Sequence, residues 1–460
     1  MSYLKPALFL FVTFGFSCLA ASESSDWKQM DRILEAIELP VIPKNTVSIL
    51  DFGAKEGGVV DCLPALNKAL ASLEESGGGT LLVPKGTWFM KGSIHLKSRI
   101  NLHLVAGSHV LFSGEPADYL PAVKTRWEGT EVYSYSPLVY AANVTDVAIT
   151  GPGKLDGNEA SKFKDWQPLQ DDDMQKLRKM GASATPVEQR VFTKGTHLRP
   201  AFVQFFGAER ALLDGYTIVN APFWINHLVY TKYATVRNLK VESHFPNNDG
   251  LDIESSQWVL VEDNWFRTGD DSIVVKSGRD LDGRTIGIPS QNIVIRNNDM
   301  SGEDGIALGS EMSGGIKNIF FTDNILRNGH AAIRFKANLD RGGVVEHIRI
   351  RNFKIESFNN LFWFQLDYPG EMGGNFPSTY RDIVFENIQV ENARTFLEVH
   401  APAVAPLTNV TFKNIQVKNV VTPLVIENAT KLRFENVKIG TQTLDGELNW
   451  REHEGSVSDE

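Results

Sequence analysis

From about residue 230 onward the chain repeats one short pattern: alternating apolar residues, then an asparagine, then more alternation. It reads Val236-Arg237-Asn238-Leu239-Lys240-Val241, Val259-Leu260-Val261-Glu262-Asp263-Asn264, Ile293-Val294-Ile295-Arg296-Asn297-Asn298 and Ile319-Phe320-Phe321-Thr322-Asp323-Asn324. Shorter copies end at Asn352, Asn387, Asn414 and Asn436. A unit recurring every 20–50 residues or so marks a solenoid. Its period of two makes it β, not α. The copies leave little room for helices, so each is read as one coil of a parallel β-helix. An asparagine suits the bend between strands, because it tolerates positive φ and can bond its own backbone. The competing architecture is an antiparallel sandwich with Asn-rich turns, but sandwiches do not repeat a motif this regularly.

The ends of such a solenoid need covering, since an open coil exposes an unpaired edge. Asp51-Phe52-Gly53-Ala54 is read as the end of a strand. Leu63 to Leu73 carries helical apolar spacing at Leu66, Leu70 and Leu73, which predicts a capping helix. Residues 45–440 are therefore expected to form one all-β domain. Residues 158–200 are polar and read as a loop insertion, with Asp171-Asp172-Asp173 opening a helix from Met174 to Met180. Acidic residues at a helix start are favoured by the dipole, so no chemistry is assigned to them. Residues 441–460 read as a loose acidic tail.

The N-terminus reads as a secretory signal over residues 1–21. Lys5 precedes an apolar run from Pro6 to Phe16, followed by Ser17, Cys18, Leu19, Ala20 and Ala21, a run too short for a membrane span. The expected location is secreted or periplasmic. Cys18 offers a second reading, the lipid-carrying cysteine of a bacterial lipoprotein. Cleavage near Ala20 leaves Cys62 alone, packed and without a disulfide. The sequons at Asn143, Asn409 and Asn428 would accept glycans only in a eukaryotic secretory route. A formal charge of -10 argues against nucleic acid or an anionic membrane as partner. A polyanionic substrate would then need a local basic cluster. A monomer is expected.

Four segments stand out chemically: Asn247-Asn248-Asp249-Gly250-Leu251-Asp252-Ile253-Glu254, Gly269-Asp270-Asp271-Ser272-Ile273-Val274-Val275-Lys276, Glu303-Asp304-Gly305-Ile306-Ala307-Leu308 and Ala332-Ile333-Arg334-Phe335-Lys336. Aligned by their apolar residues, Leu251 and Ile253 match Ile273 and Val275, then Ile306 and Leu308, then Ile333 and Phe335. The residues between them face outward on one flank. The first two segments are offset by 22 (271 − 249), one coil, which sets Asp249 beside Asp270 and Asp271. Arg334 and Lys336 fall in the columns of Asp252 and Glu254. Paired carboxyls, one protonated and one ionised, are what inverting glycoside hydrolysis requires. Neighbouring acids raise one another's pKa, and an adjacent Arg can grip the carboxylate of an acidic sugar. The bland reading is that Gly-Asp-Asp bonds turn amides and that Arg334 and Lys336 are solvated. Four such segments on one flank favour function. Trp224 and His227, one coil earlier, are read as the floor of a sugar subsite or as packed rings. Trp363, Gln365 and Tyr368 are read as a cleft wall. His95, His103 and His109 lack ligand spacing and are read as structural.

At these residues the chain resembles the polygalacturonase family of glycoside hydrolases, family 28. That family's segments Asn-Thr-Asp, Gly-Asp-Asp and Arg-Ile-Lys have counterparts in Asn247-Asn248-Asp249, Gly269-Asp270-Asp271 and Arg334-Phe335-Lys336. Thr125-Arg126-Trp127-Glu128-Gly129, Ser310-Glu311-Met312-Ser313-Gly314-Gly315 and Arg341-Gly342-Gly343 look like the bacterial and plant branch that often acts from chain ends. The resemblance implies a right-handed parallel β-helix, inversion, and neither cofactor nor metal. It implies Asp270 as general acid, Asp249 and Asp271 as holders of the water, and Arg334 and Lys336 as ligands of a substrate carboxylate. Asn247 and Glu303 are carried with them as substrate-binding positions. One departure stands at Glu303, in Gly302-Glu303-Asp304-Gly305, where the family has Gly-His-Gly. An ionised Glu303 is expected to raise the pKa of Asp270 and to weaken binding of a polyanion. The expected activity is hydrolysis of a galacturonate-containing pectin. A rhamnogalacturonan or modified pectin is the alternative substrate, a calcium-dependent lyase or a non-catalytic pectin-binding helix the alternative class.

Overall fold

The computed structural model describes residues 26–450 apart from Pro369. The signal reading with Cys18, and residues 451–460 of the acidic tail, lie outside the described residues. The repeat folds as a parallel β-helix, because the coil strands pair in parallel, each with its counterpart one coil away. One sheet runs from Thr46–Ser48 through Gly79–Val83, Ile100–Leu104, Thr145–Thr150 and Glu209–Asp214 to Lys232–Arg237, Gln257–Glu262, Ser290–Arg296 and Ile316–Thr322. A second includes Lys240–Ser243, Trp265–Thr268 and Asp299–Ser301. A third stacks Ile94–Leu96, Val139–Ala142, Val203–Phe206, Asn226–Val229, Leu251–Glu254, Ile273–Lys276 and Asp304–Leu308, and continues into Ile325–Asn338. The third sheet carries the site.

Every second side chain points inward, so residues of like character pile up along the axis. Leu251, Ile273, Ile306 and Ile333 form one buried column, and Ile253, Val275, Leu308 and Phe335 another. The aromatic part of the core stacks in the same way, with Phe335 on Phe364 at 4.4 Å and Phe385 on Phe412 at 5.0 Å between ring centroids. The repeated asparagines serve the bends in two ways. Asn238, Asn297, Asn352, Asn387, Asn414 and Asn436 take φ between 52° and 58°, as the sequence predicts. Asn264, Asn298 and Asn324 are buried and bond from coil to coil: the backbone N–H of Asn264 donates to Asn298 Oδ1 at 3.1 Å, and that of Asn298 to Asn324 Oδ1 at 2.9 Å.

At the N-terminal end the helix Leu63–Glu75 buries Ala65, Leu66, Ala69, Leu70 and Leu73 against the core. Asp51 and Phe52 close a short 3-10 turn, Ile49–Phe52, rather than a strand; Gly53 ends it at φ 89°. Cys62 is buried as a free thiol. A helix over residues 26–36, not foreseen from the sequence, lays Met30 and Ile33 on Val294 and Phe320 of the first sheet. The tail reading also needs correction. Gln442–Trp450 is an antiparallel strand on Ala429–Ile439, the last coil's edge, which would otherwise offer unpaired backbone groups. No described helix is long and apolar enough to cross a membrane.

The ladder makes a prediction. In Asn298→Ala the carbonyls of Val261 and Arg296 lose the donor Nδ2 that serves them at 3.2 and 2.9 Å. Denaturant unfolding should show a loss of about 2–4 kcal/mol, as for buried groups left unsatisfied.

Candidate active site

The register of the third sheet sets the site. The backbone N–H of Ile225 bonds the carbonyl of Asp249, that of Gly250 the carbonyl of Asp271, and that of Ser272 the carbonyl of Asp304, each at 2.9 Å. Trp224, Asp249, Asp271 and Asp304 therefore occupy one column on successive coils, about 4.8 Å apart. The neighbouring outward column is Tyr140, Gln204, His227, Asp252, Val274, Ala307, Arg334 and Trp363. Glu254 pairs with Lys276, and Lys336 with Gln365. The alignment by apolar residues thus places Asp249, Asp270, Asp271, Arg334 and Lys336 together. It did not single out Asp304, Asp252 or Lys276, although counting two residues back from Ile306, as from Ile273 to Asp271, lands on Asp304.

These carboxyls are removed from water. Asp249, Asp252, Asp271 and Asp304 are all buried, and Asp252 and Asp304 are 0 % exposed. Two ionised carboxylates about 4.8 Å apart repel by about 3–4 kcal/mol at an effective dielectric of ~20, so the cluster retains protons. Burial pushes Asp249 well above the usual carboxylate range, and Asp252 and Asp270 push it further. Burial does the same to Asp252, against Lys276. Neither Asp252 oxygen has a hydrogen-bond donor among the described residues. Asp270 is raised by burial and by Asp271. Its Oδ1 accepts the backbone N–H of Asp271 at 3.0 Å. Asp271 is raised to about 6 by burial and Asp304, even though Lys336 Nζ donates to it at 2.6 Å.

Three cations balance the strip. Lys276 lies 3.1 Å from Glu311, 3.8 Å from Asp252 and 3.9 Å from Asp249, and sits 4.6 Å over the Trp224 ring. Lys336 Nζ also reaches Asp304 at 3.2 Å. Arg334 donates Nη1 to Asp304 at 3.1 Å and Nη2 to Gln365 and Tyr368 at 2.6 and 2.7 Å, with its plane over Trp363. Glu303 is exposed at the rim and is itself raised, first by partial burial, then by Asp270 and Asp271. The leading influences on Asp270 are burial and Asp271, not Glu303. Asn247 stands on the turn at φ 60° with Oδ1 on Arg199 Nη2 at 2.5 Å, so it positions the loop before Asp249.

His227 requires correction as a substrate ligand. It is 1 % exposed, with Gln204 on Nδ1 at 3.0 Å and Glu254 on Nε2 at 2.9 Å. Trp224, 4 % exposed, is a packed ring. The cause is a hairpin, Val123–Trp127 paired with Thr130–Ser134, which lies across this face. Thr125 bonds Gln204 at 2.6 Å, Tyr140 bonds the carbonyl of Lys124, and Arg126 bonds Ser255 at 2.8 Å while facing Glu254 at 3.5 Å. The hairpin rises from the turn before the third sheet and meets the loop after it, where the N–H of Arg279 donates to Gly129. Residues 158–200 buttress it: the helix Asp171–Ala182 contributes Leu177, Met174 and Met180 to a cluster with Trp127 and Phe223, and Arg178 joins Glu128 to Glu371. The outward face is thus roofed over Tyr140, Gln204 and His227, and the hairpin also reaches the acids' own coils at Ser255 and Arg279. Among the described residues one group, Asp367, His400 and Glu427, has metal-ligand spacing; His400 stands two coils beyond Lys336, apart from the acids.

Residues 79–431 match the model of glycosyl hydrolases family 28. A hyperthermoactive exopolygalacturonase from Thermotoga maritima has a similar structure, with a TM-score of 0.88 and 35% identity over 92% of this chain and 99% of that one. A probable polygalacturonase of Vitis vinifera is 29% identical over 78% of this chain and 73% of that protein. An exo-poly-alpha-D-galacturonosidase of Dickeya chrysanthemi is 26% identical over 76% of this chain and 63% of its own length. A parallel β-helix with an acid strip on its third sheet is thus the right-handed β-helix of a glycoside hydrolase, and the chain belongs to glycoside hydrolase family 28.

The burial of Asp271 gives a stability prediction with a definite sign. A carboxyl whose folded pKa is raised to about 6 contributes stability that is complete below the unfolded value near 4 and is lost as pH rises through 6. Unfolding of the native protein and Asp271→Asn, compared at pH 4 and pH 7, should show their difference move by about 2 kcal/mol in favour of the variant at pH 7.

Proposed function

We propose that this enzyme hydrolyses the α-glycosidic bonds of a galacturonate-containing pectin from the chain end, with inversion. The observation that carries the end-wise reading is the roof, which closes the groove on the side of Tyr140, Gln204 and His227. A polymer threaded through the whole groove would have to pass beneath Arg126, whose side chain is fully buried. A chain end inserted as far as the hairpin would bring its terminal bond to the acids.

In this reading Asp270 protonates the leaving oxygen, a role suited to a carboxyl held up by burial and by Asp271. Asp249 and Asp271 hold the attacking water, and Asp271 takes its proton, since Lys336 at 2.6 Å favours the ionised form. Arg334 and Lys336 bind the sugar unit beside the scissile bond. The crowding of carboxyls around the reacting position favours hydrolysis over elimination by a basic side chain. A secretory signal at residues 1–21 would deliver the enzyme to a polysaccharide outside the cytoplasm, with a lipid anchor at Cys18 as the variant of that route. A modified pectin or rhamnogalacturonan as substrate is the second reading, and the engagement of both Arg334 and Lys336 by Asp304 favours it.

Chromatography of early digests of pectic polymers should show a single short product from the first time point. A ladder of intermediate lengths at that stage would contradict end-wise action. Asp270→Asn should lower kcat by about 10³-fold or more, in line with loss of a general acid acting with its partners. Full activity in that variant would remove the assignment. With Asp271 as base, kcat/KM should fall about tenfold per pH unit below about pH 6.

A further inference from the structure

Asp304 is a buried carboxylate at the corner where the two outward cations meet, and the proposed reaction gives it no task. It is 0 % exposed, fixed on a strand that pairs with Ala331, and cannot turn to solvent. Its Oδ2 accepts from Arg334 at 3.1 Å and from Lys336 at 3.2 Å. Arg334 has its remaining terminal nitrogen on Gln365 and Tyr368, and Lys336 is already on Asp271. Both cations are therefore matched by carboxylates of the protein before any ligand arrives. Oδ1 of Asp304 and Oδ1 of Asp271 have no donor among the described residues.

We propose that Asp304 makes the Arg334–Lys336 corner a subsite for an uncharged sugar unit, either a carboxyl-esterified uronate or a neutral sugar, and turns away a free uronate carboxylate. This rests on the reading of the cleft as a pectin-hydrolase site and narrows its substrate. A free carboxylate would have to compete with Asp304 for both cations, next to Asp271 and Glu303. An ester or hydroxyl leaves the pairing of both cations with Asp304 undisturbed. Asp304 acts here as a specificity-determining residue, through the two cations it holds.

Binding separates this proposal from the hydrolase reading. Calorimetry on the Asp270→Asn protein, whose turnover is silenced, would use three probes: a de-esterified oligogalacturonate, the same oligomer methyl-esterified, and a rhamnogalacturonan oligomer. One of the uncharged-unit probes should bind at least about tenfold more tightly than the free acid, and which one identifies the source of the neutral unit. Adding Asp304→Asn, which keeps the shape and removes the charge, should raise affinity for the free acid by about tenfold and change the other two by less than about threefold. Asp304→Gly, checked for cooperative melting, should move the preference in the same direction. Equal or tighter binding of the free acid by the parent protein, equal weakening of all three probes in Asp304→Asn, or no binding of any probe at millimolar concentration would overturn the proposal. Failure of the hydrolase reading would instead appear as absent product from the native enzyme while the binding preference persists.

Discussion

Coil-on-coil registration is the constraint from which the rest of the molecule follows. In a parallel β-helix a residue cannot choose its neighbour one coil away; the ladder hydrogen bonds place it there at about 4.8 Å. Where the column is apolar the result is a continuous core, as for Leu251, Ile273, Ile306 and Ile333. Where it is acidic, as for Asp249, Asp271 and Asp304, the same bonds hold like charges in contact. The apolar columns and the aromatic stack stabilise what the acidic column destabilises. That arrangement is what a cleft needing both a protonated and an ionised carboxyl requires.

The second determinant is the hairpin Val123–Ser134 with its buttress in residues 158–200. The solenoid alone would leave an open groove along the whole third sheet. The hairpin converts its first part into buried protein, held by a network that includes Arg126–Glu254, Glu254–His227 and Arg190–Asp282. Breaking one member of such a buried network leaves an uncompensated charge, which ties the roof's position to the groove floor. The hairpin is thus held by ion pairs that originate outside the coil.

Much of this was legible in the sequence because solenoid folding is local and periodic. The period-two repeat gave the parallel coil, the 22-residue offset gave the contact of Asp249 with Asp271, and the apolar alignment gave the column of Arg334. The spacing of Leu66, Leu70 and Leu73 gave the capping helix. What escaped was set by contacts between segments far apart in sequence. His227 looks like a cleft residue until Thr125 and Gln204, 79 residues apart, close over it. The strand Gln442–Trp450 has no clear alternation and is ordered by the edge it covers. Asp304 escaped for a different reason: comparison with the family's Gly-His-Gly draws attention to Glu303, and the carboxylate that holds both cations is the next residue along.

The central claim is that stacking keeps several carboxyls of the cleft protonated where isolated ones would be ionised. The direct measurement is a carboxyl titration of the native protein, by infrared difference spectroscopy or carboxyl-carbon NMR, with Asp249, Asp252, Asp270 and Asp271 assigned by single Asn replacements. All four are expected to titrate above the ordinary aspartate range, Asp271 near 6, with each replacement lowering the pKa of at least one neighbour in the cluster. Four independent titrations at the ordinary value near 4, unmoved by replacing neighbours, would contradict the account.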